Sequence, residues 1–239
     1  MKKFLSYVTA TGADDNTSIE KMVELHQAYR SVNSFVEFAI LLRQGEPKQR
    51  YPSKEWIQRL FDAYEEHPSM NIAGHICGKY VKDICDGTWS ILNDYSDVWE
   101  MFSRIQLNFS LYVNDINIPI FLNGFDNDRL HFKQFIFQLK NINDPVFLAA
   151  KNNEIDCVPL FDLSGGRGIT PETWPVSDCL CGYAGGLTPE NVTSQIELIS
   201  TVASHAWIDM ESGIRTNNEF DLKKVEEILI ICEPFRKIS

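Results

Sequence analysis

The chain has 239 residues, 44% of them hydrophobic, and a formal net charge of −11 at pH 7. It is long enough to bury a sizeable core, its charge excludes a nucleic-acid surface, which needs a basic stripe, and no run of about 18 apolar residues offers a membrane span. Met1-Lys2-Lys3 leads into a strand-like segment rather than a signal peptide, and the six cysteines (Cys77, Cys85, Cys157, Cys179, Cys181 and Cys232) lie mostly in apolar runs. A cytoplasmic protein with reduced thiols is expected.

Apolar segments alternate with amphipathic ones along the chain, the pattern of βα units and a parallel sheet. Strands are expected at 4–10, 35–42, 71–77, 105–112, 133–139, 157–162, 179–184 and 206–211. Eight is the number a closed barrel needs, so the expected fold is α/β, a single (β/α)8 TIM barrel over residues 1–239. Thr17 and Glu20 form a capping box ahead of Ile19, Met22, Val23 and His26. Ser53 caps a helix with Trp56, Ile57, Leu60, Phe61 and Tyr64 as its apolar stripe. Residues 81–104 are longer than one connection needs and break at Asp86-Gly87, and 114–132 carry Pro119, Gly124 and a weak helical signal. Thr188-Pro189 reads as a cap followed by proline at the first helical position, and Asp221 starts the last helix.

Parallel barrel strands are buried on both faces and should be nearly all apolar. Here they carry Glu37, His75 and Cys77, Gln106 and Asn108, Gln138 and Lys140, Asp162, and Asp209 and Glu211. With a side-chain period of two, each same-strand pair points one way, and if that way is inward the groups converge on the mouth of the barrel, where sites sit in this fold. Each has a plainer reading. Glu37 can pair with Lys140 or Arg43, His75 can be a satisfied core histidine, Cys77 can simply pack, and Asn108 can bind Gln138. Asp162 differs, because a carboxylate directly before a Gly-Gly turn has no evident structural task. His75-Ile-Cys77 and Cys179-Leu-Cys181 lack the spacing of structural zinc sites, so neither a metal nor a cofactor is expected.

Three glycine-containing segments close the chain, at 160–175, 181–192 and 207–214. Glycines where strands end let backbone N–H groups approach an anion, and this barrel often binds phosphate after its seventh and eighth strands. Gly185, Gly186, Ser212 and Gly213 are the expected phosphate ligands, assisted by the helix start at 188–191, with Gly166, Arg167 and Gly168 as a loop that closes over them. The alternative is that these glycines serve only tight turns.

At these residues the chain resembles phosphoribosylanthranilate isomerase, a barrel enzyme of tryptophan biosynthesis. Leu160-Phe161-Asp162, the Gly165-Gly166-Arg167-Gly168 loop and Trp174 follow the family's Leu-Leu-Asp, Gly-Gly-x-Gly and aromatic close. Residues 184–192 match its Ala-Gly-Gly-Leu-x-Pro-Glu-Asn-Val without a gap. Its final Asp-x-x-Ser-Gly is matched by Asp209-Met210-Glu211-Ser212-Gly213, with Arg215 where the family has an acid, and its third-strand His-Gly is echoed loosely by His75-Ile76-Cys77-Gly78. The similarity runs over 158–216. The family opens with Lys-Ile-Cys-Gly, whose cysteine is the general base, and this chain has no cysteine in Phe4–Gly12.

The resemblance implies an aldose–ketose isomerase acting on a phosphorylated sugar derivative, with Asp162 as general acid. The base stays open among Glu211 and Cys77, then Glu37 and His75, with His75 favouring a Cys77 thiolate if the two lie close. Two other readings compete: a lyase or aldolase using Lys140 as a Schiff-base amine, and a phosphosugar-binding protein without catalysis. A phosphorylated small molecule is the expected partner, with no nucleic acid and no membrane, and the chain is expected as a monomer or homodimer.

Overall fold

Segments rich in Val, Ile, Leu and Phe that are buried along their whole length form strands of a covered parallel sheet. The computed structural model describes residues 2–30, 34–109, 116–140, 142–162 and 168–237. In it the apolar segments are β1 (Leu5–Thr11), β2 (Val36–Leu42), β3 (Asn71–Ile76), β4 (Phe102–Leu107), β5 (Gln134–Leu139), β6 (Cys157–Asp162), β7 (Cys181–Ala184) and β8 (Ala206–Met210). Each strand pairs with the next, and β8 returns to β1 to close the barrel. Outside it lie α1 (Ile19–Ala28), α2 (Lys54–Glu66), α3 (Lys79–Cys85), α4 (Ile91–Asp94), α5 (Ile118–Asn123), α6 (Pro145–Asn152), α7 (Val192–Val202) and α8 (Leu222–Cys232). A two-stranded pair, β9 (Arg215–Thr216) and β10 (Glu219–Phe220), follows β8.

The helix ends follow side-chain chemistry, with two shifts from expectation. Ser53 accepts the Trp56 N–H and Asp221 the Lys223 N–H, as read from sequence. On α1 the cap is Ser18, which accepts the Lys21 N–H, because the Thr17 hydroxyl already accepts the N–H of Asp14 in the preceding turn. On α7 the cap position is Asn191 rather than Thr188, since Asn191 Oδ1 accepts the Thr188 N–H and residues 188–191 form a turn of their own.

The irregular middle is a set of short helices. α3 ends at Cys85, where the Asp86-Gly87 break was expected, and single 3-10 turns at Trp99–Met101 and Asp128–Leu130 flank β4 and lead into β5. β4 begins at Phe102, earlier than its expected start, and it ends at Leu107, where the Phe109 N–H turns back to the Leu107 carbonyl. The expected 110–112 part of that strand lies outside the described residues. Aromatic packing fastens this region to β5. Trp89 meets Phe125 and Phe135 edge-on at 5.3 and 5.7 Å, and Phe121 meets Phe125 at 5.0 Å.

Inside the barrel, near where the strands begin, lies a buried ion pair. Glu37 is the second residue of β2, so it sits at the opposite end from the mouth, and its partner is Arg104 of β4 rather than Lys140 or Arg43. Arg104 donates from one nitrogen to both Glu37 oxygens, at 3.0 and 3.2 Å, and from Nε to Gln134 at 3.1 Å. The Thr9 hydroxyl donates to Glu37 at 2.7 Å. The guanidinium also lies over the rings of Trp207 and Tyr7, at 4.2 and 4.8 Å. Removing one member strands a charge in a low-dielectric interior, whereas replacing both with apolar groups does not. We therefore expect Arg104→Met to lower the unfolding free energy by about 3–5 kcal/mol, and the double variant Glu37→Leu/Arg104→Met to recover most of it. Urea denaturation of the three proteins checks this.

Candidate active site at the barrel mouth

The period-two rule sends alternate residues of every strand inward, and at the C-terminal ends these residues line one cavity of about 260 Å³. Thr11 comes from β1, Leu41 from β2, His75 and Cys77 from the end of β3, Gln106 and Asn108 from β4, and Gln138 from β5. Leu160 and Asp162 of β6, Ala184 of β7, and Asp209 with the following Glu211 from β8 complete the ring. Gly168, Gly185, Gly186, Ser212 and Gly213 form its rim. Five described members of the expected phosphate loops thus share a cavity with Asp162. Gly166 and Arg167 lie outside the described residues.

The rim is tightly built. Gly186 has φ +59°, and a Cβ there would strike the backbone N and the hydroxyl of Thr170. A Cβ on Gly213 would strike the Leu187 carbonyl oxygen. The Gly186 carbonyl accepts from Thr170 Oγ1 at 2.9 Å and Asn191 Nδ2 at 2.8 Å. Across the same trans peptide the Leu187 N–H faces the other way, and Leu187 lines the cavity. Asn191 therefore braces the loop from behind, while the start of α7 does not itself line the site.

The floor is polar and dehydrated. His75 is 1% exposed, and burial next to the Arg104 charge lowers its pKa to about 3, so it is a neutral imidazole. Among the described residues neither His75 Nε2 nor Gln106 Oε1 has a hydrogen-bond partner. Cys77 receives an N–H from Asn108 at 3.1 Å, but burial pushes its thiol up to about 11. A neutral histidine and a raised thiol are the opposite of the thiolate arrangement that the sequence suggested. Lys140 follows the last residue of β5, is exposed and does not line the cavity.

Two carboxylates flank β7. Asp162 is in register with Ala184, and Ala184 with Asp209, so both acids stand at one level of the barrel. Gln138 donates to Asp162 at 2.6 Å, and the Thr11 hydroxyl donates to Asp209 at 2.6 Å. Burial raises the Asp209 carboxyl to about 7, against the pull of the Thr11 hydrogen bond, with the charges of Glu211, Glu37 and Asp162 adding to the rise. The sequence offers Asp209 as one of the inward polar groups but points for the base to Glu211 and Cys77, then Glu37 and His75. The available signal was position, since Asp209 lies within the buried strand and Glu211 beyond its end.

Glu211 is engaged elsewhere. Arg50, on the loop after β2, donates to it at 2.6 Å and to Asn218 at 2.8 Å. The Arg50 backbone N–H binds Asp14 at 2.9 Å, from a left-handed conformation with φ 75°. Arg215 reaches from β9 to the Gly12 carbonyl at 2.7 Å and to Asp14 at 3.1 Å. The arginine that replaces the acid of the resembled motif thus ties the loop after β8 to the loop after β1. Among the described residues no group of three His, Cys, Asp or Glu side chains is arranged to hold a metal ion, and no helix is long and apolar enough to cross a membrane.

Comparison with known proteins agrees with this architecture. Residues 130–230 match the family model described as N-(5'phosphoribosyl)anthranilate (PRA) isomerase. A curated N-(5'-phosphoribosyl)anthranilate isomerase from Oceanobacillus iheyensis is 31% identical over 103 residues, which cover 41% of this chain and 48% of that protein. The match thus spans about half the length of the curated relative. Among solved structures, the phosphoribosyl anthranilate isomerase from Thermus thermophilus superposes with a TM-score of 0.56 at 14% identity, covering 96% of this chain and 100% of that one. The enzyme from Thermotoga maritima gives 0.55 at 18% identity, with the same coverage. At these identities the structural likeness establishes the fold. The chain is a barrel protein similar to phosphoribosylanthranilate isomerases, with sequence similarity concentrated from β5 to α8.

The raised Asp209 carboxyl sets a pH dependence of stability. Its folded value of about 7 lies above the unfolded one, so the native state holds this proton more tightly. That contribution is fully present below about pH 4 and is lost as pH rises through about 7. Asp209→Asn removes the ionisation. It should therefore be more stable than the parent at pH 8, by something on the order of 2–4 kcal/mol, and the gain should vanish near pH 4. Thermal melts of both proteins across that range check it.

Proposed function

We propose that this chain is an isomerase converting a phosphorylated aminoaldose of the N-(5'-phosphoribosyl)anthranilate type into the corresponding aminoketose, with Asp162 as general acid. The observation that carries the reading is the convergence of Asp162, Gly185-Gly186 and Ser212-Gly213 on one cavity, within the stretch matched by the isomerase family model. The phosphate is held where strand ends and glycine loops meet, the usual position in this barrel. Backbone N–H groups there carry the binding, because the chain as a whole is acidic and repels an anion at long range. A phosphate seated beyond β7 and β8 sets the sugar ring over the mouth, beside the carboxyl of Asp162.

The chemistry begins at the ring oxygen. A proton from Asp162 makes that oxygen a neutral leaving group, the C1–O bond opens, and the nitrogen lone pair forms a C1=N bond. Gln138 fixes the orientation of Asp162 from the neighbouring strand. The Schiff-base alternative loses support, since Lys140 is exposed and away from the cavity.

Steady-state turnover of N-(5'-phosphoribosyl)anthranilate tests the reading. The parent protein should convert it, Asp162→Asn should lower kcat/KM by about 10²–10⁴-fold, and Lys140→Ala should retain the activity. Inorganic phosphate should raise the melting temperature of the parent in a concentration-dependent way. No turnover by the parent would refute the reading.

A further inference from the structure

We infer that Asp209, oriented by the hydroxyl of Thr11, is the general base that removes the carbon-bound proton in this site, taking the part for which the first strand supplies no thiol. The inference deepens the isomerase reading and rests on it. It begins from what an aldose–ketose shift demands. After the ring opens, a proton must leave C2, and the base must reach the mouth from a side other than that of the acid.

The geometry eliminates the other bases in turn. Glu37 lies at the far end of the barrel, locked to Arg104 and Thr9. His75 lies on the floor as a neutral ring that burial keeps from accepting a proton. Cys77 is held as a thiol by the same burial, which outweighs the pull of the Arg43 charge and the Asn108 hydrogen bond. Glu211 is bound by Arg50 at 2.6 Å and stands about one-third exposed at the edge. Asp209 remains, inside the strand and lining the cavity.

Its placement suits the step. Asp162 and Asp209 project from strands on either side of β7 and at the same level. With neighbouring strands about 4.8 Å apart, the two backbones are roughly 10 Å apart across the sheet, room for a sugar carbon and its ring oxygen between the two carboxyls. Thr11 ends β1, on the other side of Asp209, and its hydroxyl donates to Oδ1 at 2.6 Å. That bond leaves Oδ2 for the substrate and favours the ionised form of a group whose burial opposes ionisation.

The proton count closes. Asp162 enters protonated and gives its proton to the ring oxygen as the C1–O bond breaks and C1=N forms. An Asp209 oxygen then takes the proton from C2. The C2–H electron pair becomes C1=C2, and the C1=N π pair returns to nitrogen, leaving an enolamine. Tautomerisation adds a proton at C1 and releases one from the 2-hydroxyl, giving the aminoketose. One proton has passed from Asp162 to Asp209, exchange with solvent resets the pair, and no oxidant or other reactant is consumed.

The groups facing Asp209 are Thr11 on β1, Glu37 on β2, Asp162 on β6 and Glu211 beyond its own strand. Two of these charges are neutralised, Glu37 by Arg104 and Glu211 by Arg50. The base must be ionised, so kcat/KM should rise with pH through the titration of Asp209.

The test combines turnover with the deuterium isotope effect for substrate deuterated at C2, the bond that the base breaks. Relative to the parent, Asp209→Asn should lose about 100-fold or more in turnover and show a full primary isotope effect, because proton removal from C2 becomes rate-limiting, while inorganic phosphate still raises its melting temperature. Thr11→Val should lower kcat several-fold with little change in KM, moving the acidic limb of the pH profile upward because a hydrogen bond to the carboxylate is lost. Thr11→Ser should restore both. A smaller loss of turnover, or a loss with no primary isotope effect, in a phosphate-binding Asp209→Asn overturns the inference and leaves the isomerase reading standing. A parent protein that does not turn over the aminoaldose fails that reading, and the inference falls with it.

Discussion

A sheet that closes on itself has no edge and only two faces, and the period of two decides which residues face inward. Once β8 pairs with β1, Thr9, Glu37, Arg104 and Trp207 are committed to the lower interior, and Thr11, Asp162 and Asp209 to the mouth. A slip of one residue in any strand would turn these groups toward the helices. Closure therefore fixes the polar arrangement, and the helices outside serve mainly to cover the apolar face that the strands present to them.

Charge is distributed unevenly in this interior. At the lower end each buried ion is compensated, with Glu37 receiving Arg104 and Thr9. At the mouth two carboxylates share a buried level, and burial, with the neighbouring acidic charges, raises the Asp209 carboxyl to about 7. A site that lowers the stability of the fold at neutral pH is consistent with a group retained for reactivity. Around it the loops are braced firmly. Arg215 joins the loops after β1 and β8, and Arg50 joins the loop after β2 to both. Strain at the Arg50 backbone is held by these bonds.

The sequence showed the barrel well because its strands are runs of Val, Ile, Leu and Phe that no amphipathic helix would carry. Ser53 and Asp221 were legible as caps because the bond they make is local. Thr17 was not, because its hydroxyl answers to Asp14 rather than to the helix. The start of β4 was blurred by Ser103 and Arg104, polar residues within a strand that the ladder with β3 and β5 nonetheless extends to Phe102. At the site, Asp162 and the glycine rim were readable from local chemistry. The partners of the charges were not. Glu37 with Arg104, Thr11 with Asp209 and Arg50 with Glu211 are set by strand register and loop docking, across 67, 198 and 161 positions of chain. Asp209 was underrated for that reason, the one local signal being its place two residues earlier on the strand than Glu211.

The central claim is that one ligand spans the glycine rim and the pair of carboxylates flanking β7. A crystal structure with a stable analogue of the phosphorylated aminoketose tests it most directly. The phosphate is expected against Gly185-Gly186 and Ser212-Gly213, the oxygen derived from the ring within hydrogen-bonding reach of Asp162, and C1 and C2 facing Asp209. A phosphate bound elsewhere on the barrel, or a sugar carbon chain turned away from both carboxylates, would contradict it.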